Sequence, residues 1–221
     1  MTSNSDKASF LKRLALLVIG LFLSALGIAL LKKGALGVSP ISSTANVISI
    51  AVPDLSLGTW IMAWNGLLIL GQLLILRRDF RTIELFQIPL SILFGLFTDL
   101  STVILGFVEP ANYAEQFALV ILGTATMGFG ISLTASADII MNSGEALVKA
   151  ISDKCGTDFG KTKIAFDAGC VVLAASLSLV LCGKILEIRE GTLTAALLTG
   201  VFINLFRKLG TLVRHTEKTA I

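Results

Sequence analysis

One histidine stands in the whole chain, His215, and it lies in the C-terminal tail. No HExxH, P-loop, nucleophile elbow or dinucleotide fingerprint accompanies it, so enzyme chemistry has nothing to rest on, and an ATP-driven pump would need a partner subunit. Cysteine is scarce as well: Cys155, Cys170 and Cys182 are an odd number without a metal-ligand spacing. They read as small hydrophobes, and neither a metal nor a cofactor is expected. Charge is the third shortage, at 15% of residues against about 25% in soluble domains. No basic patch is interleaved with aromatics outside the apolar runs, so no nucleic-acid partner is expected.

Apolar sequence fills the space left by these absences. Hydrophobic residues are 54% of 221, the mean hydropathy is +0.86, and the charges cluster between long uncharged runs. That is the pattern of a multi-span membrane protein whose partner is the lipid bilayer. The runs are too numerous for a signal peptide. Six are long enough to cross, at 14–31, 58–76, 85–108, 114–134, 164–183 and 191–206. The polar start, 1–9, reads as disordered within an N-terminal tail, 1–13, and 207–221 reads as a C-terminal tail.

Two stretches, 40–52 and 143–155, are too short and too polar to cross. Placement of charge separates six crossings from eight. With six and a cytoplasmic N-terminus, fourteen of the eighteen lysines and arginines fall inside; only Lys32, Lys33, Lys184 and Arg189 fall outside. With eight, Arg77, Arg78 and Arg81 move outside and the positive-inside bias collapses. Six spans are therefore predicted, with both termini cytoplasmic.

The chain also repeats itself. Gly20, Gly27, Ile28 and Leu30 recur 103 positions later as Gly123, Gly130, Ile131 and Leu133. The correspondence continues with small shifts, pairing Asn65 with Asp167, and Asp99 with Asn204. Repeats are worth finding first because they fix architecture. With three crossings in each half, 14–108 and 114–206, the second half must be inverted. The predicted fold class is an all-α integral membrane protein: six transmembrane helices plus two short re-entrant helices, in two inverted-topology repeats.

Both short helices begin with capping chemistry. Ser39 precedes Pro40, and Asn142 stands three residues before Glu145 in a capping-box variant. If the segments before them dip into the membrane, Ser39, Asn142 and Ser143 sit at deep helix N-termini. Such ends carry partial positive charge and suit an anionic or strongly polar group. The other reading lays both helices flat at the interface as amphipathic connectors.

Asn65 and Asp167 each lie eight residues into a span, roughly 10 Å deep at 1.5 Å per residue. An intramembrane carboxylate normally faces a cavity or a partner. Asp167 is the first candidate for a coupling proton or cation, and Asp99 the second; Asn65 and Asn204 are candidate solute contacts. Satisfying backbone groups beside the broken helices is the structural alternative, and for Asp99 and Asn204 it is preferred. Gln72 and Gln87 read as helix–helix hydrogen bonds, and Trp60 and Trp64 as interfacial anchors. Gly66, Gly71, Gly123, Gly128 and Gly130 read as close-packing positions.

At GALGVSP (34–40), LGT (57–59) and GLFTD (95–99), the chain resembles the YczE/YitT-like family of bacterial membrane proteins. The resemblance implies a polytopic protein of the bacterial plasma membrane and says little about substrate. The leading expectation is a secondary transporter of a small polar or anionic solute, with a homodimer as its candidate assembly. The rivals are a channel-like pore on paired half-helices and a membrane accessory or regulatory protein that moves nothing.

Overall fold

The computed structural model describes the backbone of residues 2–186 and 188–219, and the side chains of 10–186 and 188–209. The side chains of 1–9, and of most of the predicted C-terminal tail, lie outside the described residues. Eight α-helices are described: α1 (Thr2–Gly34), α2 (Pro40–Ala51), α3 (Leu57–Leu76), α4 (Gln87–Ile104), α5 (Tyr113–Ala137), α6 (Ser143–Cys155), α7 (Phe159–Cys182) and α8 (Glu190–Thr219). No strand is formed among the described residues; Gly37 and Ile188 make one isolated antiparallel bridge.

Six helical stretches are long and apolar enough to cross a bilayer: Phe10–Gly34, Leu57–Asp79, Thr82–Phe107, Tyr113–Ala137, Phe159–Cys182 and Glu190–Leu209. This is the architecture of a multi-pass membrane protein. The first of these stretches lies within α1, which runs on through Lys12 and Arg13 to Gly34. The two short helices stand where the sequence put them, as α2 and α6.

At the centre α1 packs along α5. A Cβ on Gly27 would lie 2.6 Å from the carbonyl oxygen of Gly123, and one on Gly20 would lie 2.7 Å from that of Gly130. Helix association in lipid depends on such close approach, since burying apolar surface gains little there. Gly66 does not belong to this set, because a Cβ there would meet nothing within 4 Å.

One end of α1 is tied to the end of α5: Arg13 Nε donates to Ala137 O at 2.7 Å, and Nη2 to Asp138 O at 2.6 Å. This marks an Arg13 face. The other end of α1 marks a Lys33 face, where Lys33 Nζ donates to Gly106 O at 3.3 Å. After each of these helices the chain turns through a left-handed residue, Ala35 (φ 53°) after α1 and Asp138 (φ 47°) after α5. Each turn leads into a short helix. The short helices then cross over: α2 packs on α7, and α6 packs on α3.

Candidate functional site: a cavity between the tips of two short helices

The N-terminal ends of α2 and α6 meet. A Cβ on Gly144 would lie 2.9 Å from Ile41 Cδ1. Beside this contact is a cavity of about 110 Å³. For scale, a dry engineered cavity of about 150 Å³ admits benzene, so the space suits a solute of a few heavy atoms. Ser39, Ser42, Asn65, Asn142, Ser143 and Glu145 contribute polar groups to its wall; Trp64 and Phe94 are among the apolar contributors.

Each polar group has a structural reason for its position. Ser39 and Asn142 occupy the N-cap positions, yet neither side chain caps its own helix. The expected Asn142 cap is absent, and Asn142 lines the cavity instead. Ser39 Oγ pairs with Ser42 Oγ at 2.9 Å. The hydroxyl of Ser143 donates to Asn65 Oδ1 at 2.9 Å, joining the tip of α6 to the middle of α3. Behind it, Gln72 and Gln87 form a buried reciprocal amide pair, Nε2 to Oε1 at 3.1 and 3.0 Å. Gln72 Nε2 also donates to Ser143 O at 2.9 Å. These two are the helix–helix hydrogen bonds the sequence predicted, and they fix α3, α4 and α6 around one wall.

Trp64 is on that wall and not only an interfacial anchor. Its indole Nε1 is buried without a hydrogen-bond partner, and a donor in that state is costly unless something accepts from it.

Among the described residues, Glu145 is the one ionisable side chain on the cavity wall. It also lines a second, wider space of about 700 Å³. That space reaches Asp79, Arg81, Asp138 and Lys154, so it is a funnel on the Arg13 face. Glu145 therefore stands at the junction of cavity and funnel. Burial pushes its carboxyl above the ordinary glutamate range; Lys163 pulls it down less strongly, and Asp167 adds to the rise.

Of the residues predicted from sequence, Ser39, Asn65, Asn142 and Ser143 come together at the cavity. Asp167, Asp99 and Asn204 do not line it. Asp167 is held by Lys163 one turn earlier on α7, at 2.5 and 2.6 Å. Asp99 caps α3: its Oδ1 accepts from Gly58 N at 2.8 Å and its Oδ2 from Ser56 Oγ at 2.6 Å. Asn204 is exposed on α8. Sequence reasoning missed Glu145 because it read that residue as half of a capping box. The signal was the repeat itself, since an offset of 103 pairs Glu145 with Ser42 and both line the cavity.

A family model described as "Family of unknown function (DUF6198)" matches residues 11–208, and the chain belongs to that family. The description names no activity and does not join the family to the YczE/YitT-like proteins. No curated protein and no solved structure matches the chain.

Proposed function

We propose that this member of a family of unknown function is a secondary transporter for a small polar or anionic solute, with one site between two inverted repeats. The observation that carries the reading is the convergence of two short-helix N-termini, with their polar side chains, on a single otherwise mostly apolar cavity that communicates with one face.

The repeat explains several pairings at once. A two-fold relation that takes Gly20 to Gly123 takes Gly130 to Gly27, so the two glycine contacts between α1 and α5 are one contact written twice. The same relation takes Ala35 to Asp138 and exchanges the α2–α7 packing with α6–α3. Inverted repeats with half-helices meeting at mid-depth are a common transporter construction. Uncapped N–H groups at the two tips, the hydroxyls and amides of the wall and the free Trp64 Nε1–H all favour a solute rich in acceptors.

The two halves differ in a way that fits alternating access. On the Arg13 face the funnel separates the turn at 77–86 from the approach to α6. On the Lys33 face the equivalent segments touch: Gly191 N donates to Leu36 O at 2.9 Å, and Gly37 bridges Ile188. Likewise α3 and α4 are joined through Asp99, whereas α7 and α8 stand apart and a Cβ on Gly200 would meet nothing within 4 Å. We read this as one end state, open to the Arg13 face. Exchanging the roles of the halves generates the other, in which Asn204 takes up at α7 the part Asp99 plays at α3. The excess of basic residues assigns the open face to the cytoplasm of a bacterial plasma membrane, as the YczE/YitT-like resemblance also implies.

The test is flux into proteoliposomes across a panel of small carboxylates, phosphate and amino acids. Saturable uptake with counterflow is expected for at least one of them. Linear, non-saturating conductance would replace the carrier with a pore, and no flux of any of them would end the reading.

A further inference from the structure

We infer that the side chain of Glu145 carries the coupling proton, so that solute and proton occupy the central site together. The inference rests on the transporter reading and assigns its driving ion.

Position is the first argument. A coupling group must touch the solute site and must also reach solvent at the face then open. Glu145 meets both conditions, lining the cavity and the funnel. Asp167, the obvious carboxylate from sequence, meets neither; it lines no part of either space, and both of its oxygens are taken by Lys163.

Charge is the second. From α7, Lys163 and Asp167 face Glu145 as an ion pair; Lys163 draws it towards the ionised form more than Asp167 opposes this, and burial outweighs Lys163. The other helix packed against α6 is α3, which offers no titratable side chain. In the funnel, Asp79, Arg81 and Glu84 lie on one side, Asp138 stands before α6, and Lys149, Asp153 and Lys154 lie on α6 itself. Arg13, paired with Asp138 at 3.1 Å, makes four bases against four acids, so the funnel supplies no net positive charge to hold Glu145 ionised. An ionised Glu145, in the first turn of α6, itself takes up the partial positive charge of the helix tips and competes with an anionic solute for it, and a protonated one leaves that charge free to act.

Linkage follows. An anionic group at the helix tips binds better when Glu145 is protonated, and by reciprocity its binding tightens proton uptake at Glu145. The proton enters from the open face onto a Glu145 carboxylate oxygen and leaves to the opposite face after the exchange, so one proton travels with each solute. The sign is definite: solute affinity is highest at acid pH and falls as pH rises through the elevated carboxyl pKa.

Two measurements test this in the full chain reconstituted in lipid. The first needs no solute. Isotope-edited infrared spectra should show a protonated glutamate band that persists above the ordinary carboxylate range and disappears in Glu145→Gln. Its absence from the wild type would overturn the inference and leave the transporter reading standing. The second uses the solute that shows counterflow. Wild-type affinity should weaken about tenfold between mildly acid and mildly alkaline pH. In Glu145→Gln affinity, read by binding, should not depend on pH, and accumulation against an imposed pH gradient should be lost. Glu145→Asp should retain coupling. Gradient-driven accumulation by Glu145→Gln would overturn the inference.

Discussion

The Ser143 hydroxyl donates to Asn65 Oδ1 across 2.9 Å, and this one bond ties the tip of a short helix to the middle of a spanning one. It sets the position of the α6 N-terminus relative to the cavity. Asn65→Ala should therefore act twice, lowering thermal stability by about 1 kcal/mol for a lost hydrogen bond and weakening solute binding. Ser143→Ala should do the same, and the double variant should cost less than the sum of the two. Full additivity in melting and binding assays would show that the bond positions nothing.

Gln72 and Gln87 supply a sharper energetic test. Both are almost wholly buried, and each amide satisfies the other. Replacing either with Leu strands its partner, at about 1–3 kcal/mol. Replacing both removes the pair; Ser143 O keeps its place in the α6 ladder and Glu84 its pairing with Arg81, and each loses only its bond to a glutamine, so recovery should be large but incomplete. A double-mutant cycle read from thermal unfolding checks the coupling.

The glycines separate by position. Gly27→Ala forces a Cβ against the Gly123 carbonyl and should cost about 1–3 kcal/mol or prevent assembly. Gly66→Ala meets open space and should leave stability unchanged or slightly raised. Equal melting temperatures for the two variants would contradict the central α1–α5 contact.

Sidedness can be read from one turn. Arg81 is exposed beside the funnel. A cysteine at that position, in a background lacking Cys155, Cys170 and Cys182, should react with an impermeant thiol reagent only from the cytoplasmic side. Labelling from outside would reverse the proposed orientation.

Much of the fold was legible in the sequence because long uncharged runs have few alternatives in a chain of this composition. The bounds of α2 and α6 followed from Ser39–Pro40 and from the polar stretch opening at Ser143. Side-chain partners were harder to read. Asp167 looked like an isolated intramembrane acid, although Lys163 stands one helical turn away and neutralises it in place. For Asp99 the structural reading is the one the sequence prefers, and it does accept from the Gly58 backbone; what spacing did not reveal was the partner, because Ser56 and Gly58 come to it from the start of a different helix. Glu145 was visible but assigned to a cap that does not form, since capping rules describe a helix end in water and this end faces a cavity. Local spacing predicts neighbours on one helix well, whereas contacts across helices depend on how the halves cross.

Distances across the two faces test the central claim most directly. Spin labels at Arg81 and Lys154 report the funnel rim, and labels at Lys33 and Lys184 report the opposite face. The account predicts two populations for each pair, with the rim short when the opposite face is long, and a redistribution between them when solute is added. One fixed distance for each pair, unmoved by solute or pH, would contradict a site that turns from one face to the other.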